Sequence, residues 1–138
     1  MTDIFSVEKR SQIMRHIKSK DSKPEKYIRS LVHSMGYRFR LHRKDLPGCP
    51  DLVFPKYRKV IFVHGCFWHG HKGCKRSTLP HTNYTFWKDK IEGNIKRDKT
   101  NYHKLRNINW KYLVIWQCEI KIKYKKELIN KLSNFLQA

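Results

Sequence analysis

The sequence predicts an α/β fold in which a mixed central β-sheet is flanked by helices. Three observations carry this reading: an apolar stripe at helical spacing near residue 30, short β-branched and aromatic runs at DLVF, VIFVH and YLVIW, and an amphipathic stretch that closes the chain. In order they give helix, three strands, helix, strand, helix, which combines hairpin-linked strands with one helical crossover. At 138 residues the chain is sized for one domain over 1–138.

Each element has a local cause. Ile13, Met14 and Ile17 stand at helical spacing in a basic segment, so residues 6 to 19 predict a short helix or basic arm, and 1–20 is read as an arm able to lie on phosphates. Pro24 suits a first helical turn, Ile28, Leu31, Val32 and Met35 form one stripe, and Gly36 suits the C-terminal cap. Tyr37, Phe39 and Leu41 alternate with basic residues, DLPGCP supplies turn chemistry, and DLVF and VIFVH follow on either side of PKYRK, which predicts a three-stranded meander. Residues 65 to 84 are rich in Gly, His, Cys, Thr and Pro and lack either period, a connection long enough to need internal support. Phe86, Ile91, Ile95 and Leu105 predict a helix from about Thr85 to Leu105, Trp110 to Trp116 a buried strand, and 121 to 126 a solvated Lys-rich stretch. Leu128, Ile129, Leu132, Phe135 and Leu136 predict the closing helix.

Charge narrows the partner. Thirty-one Lys and Arg against eleven Asp and Glu give a formal +20, a field that calls for a polyanion, and nucleic acid leads over a lipid surface because no stretch approaches the roughly 18 apolar residues of a membrane span. The N-terminus MTDIFSVEKR has no apolar core of a signal peptide and carries acids among its bases, so a cytoplasmic protein is expected. In that reducing setting Cys49, Cys66, Cys74 and Cys118, beside eight His, point to metal ligation before disulfides.

The chemistry gathers around one strand end. Pro50-Asp51 opens a strand and Phe62-Val63-His64 ends the next, so Asp51 and His64 can converge on neighbouring strands. The run His64-Gly65-Cys66-Phe67-Trp68-His69-Gly70-His71 then adds imidazoles, a thiol and two large aromatics. Cys66, His71 and Cys74 are closely spaced and Cys118 follows the last strand, a possible tetrahedral set for Zn²⁺, although spacing alone leaves His69 and His81 as alternatives to His71.

These motifs resemble known enzymes. Pro50-Asp51 with Phe62 and His64 looks like the Pro-Asp and acidic-x-Lys motif of the restriction-endonuclease-like PD-(D/E)xK superfamily, with Phe62 at the acidic position and His64 at the Lys. From about Arg10 to Glu119, through RSQIMR, Glu25, LPGCPD, VIFVHGCFWHGH, FWKDKI, NIKRD and WKYLVIWQCE, the chain is similar to the very short patch repair endonucleases (Vsr), which nick DNA beside T:G mismatches left by deamination of 5-methylcytosine. The resemblance implies that Asp51 and the backbone carbonyl of Val63 hold a catalytic Mg²⁺. It implies further that His69, oriented by Asp98, activates the attacking water while His64 and Glu25 support the site. It also implies structural Zn²⁺ on Cys66, His71, Cys74 and Cys118, leaving Cys49 a free thiol, and insertion of Phe67, Trp68, Trp87 and Met14 into the base stack at the mismatch.

The partners so implied are mismatched double-stranded DNA, a cytosine-5 DNA methyltransferase acting on the same sites, and downstream repair proteins, with no membrane and a monomeric, bacterial-type enzyme working at the nucleoid. Two departures stand out: Val63 replaces a Thr found in some relatives, which a carbonyl ligand tolerates, and Cys49 replaces a basic residue before Pro-Asp. The competing readings are a restriction-type endonuclease of the same fold and a non-enzymatic zinc DNA-binding module in which Asp51 is structural.

Overall fold

The computed structural model describes residues 22–137; the basic arm and Met14 lie outside the described residues. Helix α1 spans Lys23–Ser34, with Ser22 as N-cap accepting the Glu25 N–H at 3.4 Å and Pro24 in the first turn. The chain leaves it through Met35 and Gly36, where φ is +90°, the left-handed conformation that glycine adopts without a Cβ clash. Strands β1 (Arg40–Leu41), β2 (Leu52–Phe54) and β3 (Lys59–His64) follow, then α2 (Tyr84–Asn107), β4 (Lys111–Trp116) and α3 (Lys125–Gln137).

The sheet order is β1-β2-β3-β4, with β1/β2 and β2/β3 antiparallel and β3/β4 parallel. The predicted element order and mixed sheet are therefore present. Strand periodicity sorts the core into two layers. Leu52, Phe54, Ile61 and Ile115 face α1 and α3, where Ile28, Leu31, Val32, Leu128, Leu132 and Leu136 complete one cluster. Val53, Val60 and Phe62 face the other way and meet Leu46 and Leu105 of α2, with Tyr102, Tyr112 and Val114 at the edge. Truncating a fully buried leucine such as Leu132 to Ala costs about 2–5 kcal/mol.

Three expectations need correction. The first strand is only two residues long: Tyr37 and Phe39 turn their rings edge-on to Phe54 rather than joining the ladder, and Leu41 is 41% exposed. His42, at φ +47°, bends the backbone away immediately afterwards. Phe86 is 59% exposed, so the inward residue of the first turns of α2 is Trp87. The Lys-rich stretch is exposed as expected, whereas the strand expected to be buried over Trp110 to Trp116 is mostly half-buried, with Ile115 its one buried residue.

Lys59, within the segment read as a connection, is a buried cation. Its Nζ donates to the carbonyls of Phe135 and Leu136 at 2.7 and 3.4 Å, satisfying the last turn of α3 where the helix dipole favours a cation. No helix among the described residues is long and apolar enough to cross a membrane.

Candidate active site

The site begins where β2 and β3 run side by side. Asp51, just ahead of β2, is buried and accepts the backbone N–H of Val63 on Oδ2 at 2.6 Å, which fixes it beside the last residues of β3. Glu25 of α1 is buried next to it; its Oε2 lies 3.2 Å from Arg29 Nη2 and 3.1 Å from His42 Nε2, which is also 3.7 Å from Asp51 Oδ1. Burial first, then the neighbouring Glu25, push the Asp51 carboxyl up to about 8 against the Val63 N–H and Arg29, which lower it. Glu25, His42 and Asp51 each offer a ligand atom, all within 4.8 Å of one another.

Strand parity then sets the second group. Phe62, His64, Val114 and Trp116 face α2, and the parallel register pairs His64 with Trp116 at the ends of β3 and β4. His64 is 4% exposed, and burial with the nearby His69 lowers its imidazole to about 3, outweighing Asp98. His69 stacks on it face to face, ring centroids 3.7 Å apart and planes 3° from parallel. The His69 Nδ1 lies 2.7 Å from Asp98 Oδ2, while the His69 side chain keeps 30% of its surface open to solvent. The Tyr102 hydroxyl lies 3.2 Å from His64 Nδ1, and burial foremost raises this phenol well above its usual range.

The loop after β3 is wound by its own backbone, with the N–H of His69 bonded to the Gly65 carbonyl and that of His71 to the Cys66 carbonyl. This winding turns Cys66 and His71 to one side, where Cys74 and Cys118 join them, the four ligand atoms within 4.8 Å of one another. His71, rather than His69 or His81, is thus the imidazole of the thiol cluster, and Cys49 lies apart, exposed. Burial above all pushes the Cys66 thiol up to about 12, while the Arg76 backbone N–H and then the neighbouring thiols lower that of Cys74. Trp116 stacks on His71 at 4.1 Å and 8°.

Phe67, Trp68 and Trp87 form a third group with mutual centroid distances of 5.5 to 5.9 Å, extended by Phe86. Helix α2 braces the loop that carries them: Asn94 Nδ2 donates to the Trp68 carbonyl at 2.9 Å, and Ile91 and Ile95 press on Gly70. A Cβ at Gly70 would meet Ile95 at 2.6 Å and Ile91 at 2.9 Å, and φ there is +59°, so glycine is required twice over.

The sequence model of the DNA mismatch endonuclease Vsr matches residues 2–76, just over half of the chain. A type II nicking enzyme of Xanthomonas oryzae pv. oryzae is 54% identical over 87% of this chain and 88% of its own. Another, of Neisseria meningitidis, is 44% identical over 96% and 94%. The DNA mismatch endonuclease Vsr of Escherichia coli is 40% identical over 88% of this chain and 77% of its own. The chain belongs to the Vsr family. It is a DNA endonuclease.

In this family member the structure brings the candidate catalytic, thiol-cluster and aromatic residues among those described into four groups, with Cys49 outside them. Sequence reasoning missed His42, Tyr102, Asn94 and Trp116. His42 carried no signal, since a lone His in a basic loop is ordinary. Asn94, Asp98 and Tyr102 did carry one: with Trp87 and Ile91 they recur every three or four residues, which places them on one face of α2.

Proposed function

We propose that this Vsr-family enzyme nicks duplex DNA on the 5′ side of the T in T:G mismatches of the kind left by deamination of 5-methylcytosine, by Mg²⁺-dependent hydrolysis of one phosphodiester bond. The observation that carries this reading is the His69–Asp98 contact at 2.7 Å, on the same short loop as Phe67 and Trp68 and beside the strand end that fixes Asp51. The E. coli relative is named for DNA mismatches, which supports the substrate. Asp51 ahead of β2 with His64 ending β3 supports the PD-(D/E)xK architecture, its acidic position taken by the core residue Phe62 and a second carboxylate supplied from α1 by Glu25.

Asp51 and the Val63 carbonyl would hold Mg²⁺. The residues fit the ion: they offer hard oxygen donors, and two carboxylates buried together favour a cation between them. Bound there, Mg²⁺ stabilises the charge that grows on the phosphate during displacement. Asp98 accepts the Nδ1 proton of His69, which leaves Nε2 bare to take a proton from water, and then steadies the imidazolium that results. His64 stays neutral beneath it, and Glu25 holds His42 against Asp51.

Cys66, His71, Cys74 and Cys118 would hold Zn²⁺ as a closed structural site. Three thiols and an imidazole are a donor set that suits zinc, and their ligand atoms all lie within 4.8 Å of one another. Phe67, Trp68 and Trp87 would wedge into the base stack, with Met14 entering from the minor groove. Unstacking costs a few kcal/mol and is least where pairing is already weak. The basic surface supplies affinity without sequence. On this reading the enzyme works in the cytoplasm on sites of a cytosine-5 methyltransferase and hands nicked DNA to repair proteins.

A second reading, cutting of undamaged sites, has in its favour that two of the relatives are named type II nicking enzymes. Labelled duplexes that differ only by T:G, T:A or C:G, incubated with Mg²⁺ in several methyltransferase site contexts, separate the two. Nicks beside T confined to T:G duplexes are expected, and equal cutting of paired duplexes would establish the second reading.

A further inference from the structure

Helix α2 holds both imidazoles of the stack at the same atom, from consecutive turns. Asp98 meets Nδ1 of His69 and Tyr102, four residues on, meets Nδ1 of His64. The rings lie 3° from parallel and 3.7 Å apart, so with both Nδ1 atoms toward α2 both Nε2 atoms face the opposite side, side by side. The two anchors differ in kind. A carboxylate only accepts, so His69 carries its proton on Nδ1 and has a bare Nε2; a phenol can donate, which leaves the tautomer of His64 to be decided.

Two features decide it. A neutral imidazole has a dipole running between its bare and its protonated nitrogen. In a parallel stack with both Nδ1 atoms on one side, identical tautomers align these dipoles and repel, whereas opposite tautomers oppose them and attract. The second is the phenol: among the described residues the Tyr102 hydroxyl has His64 Nδ1 as its hydrogen-bond partner, and its ring is locked in place by stacking on Tyr112 at 4.4 Å and 12°. Donation from the hydroxyl to Nδ1 satisfies both groups and gives the attractive pairing.

We infer that Tyr102 is a positioning residue that holds His64 as the Nε2–H tautomer, so that the enzyme presents a neutral N–H donor beside the proton-accepting Nε2 of His69. The pair is complementary to a phosphodiester and its attacking water: His64 donates to a phosphate oxygen while His69 takes the water's proton. The placement of the proton on His64 stands on the stack and its two anchors; the use made of it rests on the proposed role of His69.

The test is a long-range proton–nitrogen correlation spectrum of the imidazoles in the purified chain, above the ordinary imidazole titration range, with the His64 signals identified by their loss in His64→Gln. His64 protonated at Nε2 and His69 at Nδ1 is expected, and His64 protonated at Nδ1 overturns the inference without need of a variant. Tyr102→Phe keeps the ring stack and removes only the hydroxyl. It should let His64 populate both tautomers and lower kcat for nicking by about tenfold, the weight of one hydrogen bond, while KM for DNA stays within about twofold. An unchanged His64 tautomer with unchanged kcat in Tyr102→Phe would also overturn it. Full nicking by His69→Ala, with His64 still protonated at Nε2, would instead remove the proposed base and leave the tautomer assignment standing.

Discussion

The acid pocket and the thiol cluster are built just before and just after the end of β3 and are opposite designs. Around Asp51 two carboxylates are buried together, with Arg29 to offset their charge, and burial and then Glu25 displace the carboxyl that would do chemistry far from its usual range. Around Cys66 four ligand groups close on one another with an indole stacked on the imidazole, and burial above all holds the Cys66 thiol protonated unless a metal takes the place of its proton. The difference teaches which region can tolerate loss. A pocket under electrostatic load loses activity but not stability when a carboxylate is removed, whereas a closed cluster that braces a 20-residue irregular segment loses the fold locally.

The largest effect follows from that contrast. Asp51→Asn should reduce nicking by on the order of 10³-fold or more while leaving Tm unchanged or raised, because the substitution removes a carboxyl whose charged form is disfavoured first by burial and then by Glu25. Calorimetry and a single-turnover nicking assay check both halves, and a large drop in Tm would break the comparison. His69→Ala should follow with a loss of roughly 10²–10⁴-fold, the usual range for a general base; its side chain is partly exposed, so Tm should move little.

Cys118→Ser should reverse the pattern. Cys118 comes from the 3₁₀ turn after β4, 47 residues beyond His71, so it ties the loop to the strand that runs parallel beside β3. Its loss should cost on the order of 3 kcal/mol or more, which lowers Tm by roughly 10 °C in a domain of this size. A chelator strong enough to strip zinc should reproduce it. Equal melting temperatures with and without zinc would sink the structural role assigned to the cluster.

The pH dependence sharpens the comparison because the two buried groups shift in opposite directions. The Asp51 carboxyl is raised from 3.8 to about 8, so its contribution to stability is present below its unfolded value and is lost as pH climbs to about 8. The His64 imidazole is lowered from 6.5 to about 3, so its contribution is complete above 6.5 and is lost as pH falls from there. Between 6.5 and about 8 only the first of these two acts. There the metal-free chain should lose stability on the order of 2 kcal/mol relative to Asp51→Asn, and Mg²⁺ should restore it. Parallel stability curves for the two proteins across that window would remove the Asp51 shift from the account.

Much of this was legible in the sequence, and the reasons separate by region. Periodicity found all three described helices and the three longer strands because their apolar residues bury on one face of a helix or, in β2 and β3, almost fully inside the sheet, as Ile28, Leu31 and Val32 or Ile61 and Phe62 do. It overestimated β1 because Tyr37 and Phe39 satisfy the same alternation by packing on Phe54 without pairing. The site loop was legible only through residue types, since HGCFWHGH has no period, and its assignment of ligands to His71 rather than His69 depends on the backbone turn between Gly65 and His69 that spacing does not encode. His42 could not be found, because its role comes from a positive φ and a buried neighbour 17 residues earlier.

The smallest expected effect is the one that tests what the loop is for. Phe67, Trp68 and Trp87 pack on one another, so each could be read as core, yet only Trp87 is buried and Trp68 is held through its backbone carbonyl by Asn94 rather than by its ring. A half-buried ring whose loop is also held through the backbone can be removed with little disturbance to that loop. Trp68→Ala should therefore keep Tm within a few degrees and keep salt-dependent affinity for paired duplex, which depends on the basic surface. The preference for a T:G duplex over T:A should fall about tenfold, the loss of one base–aromatic stack. Binding titrations on both duplexes at two salt concentrations measure the terms separately. An equal fall on both duplexes would return Trp68 to the core and leave mismatch selection to some other part of the molecule.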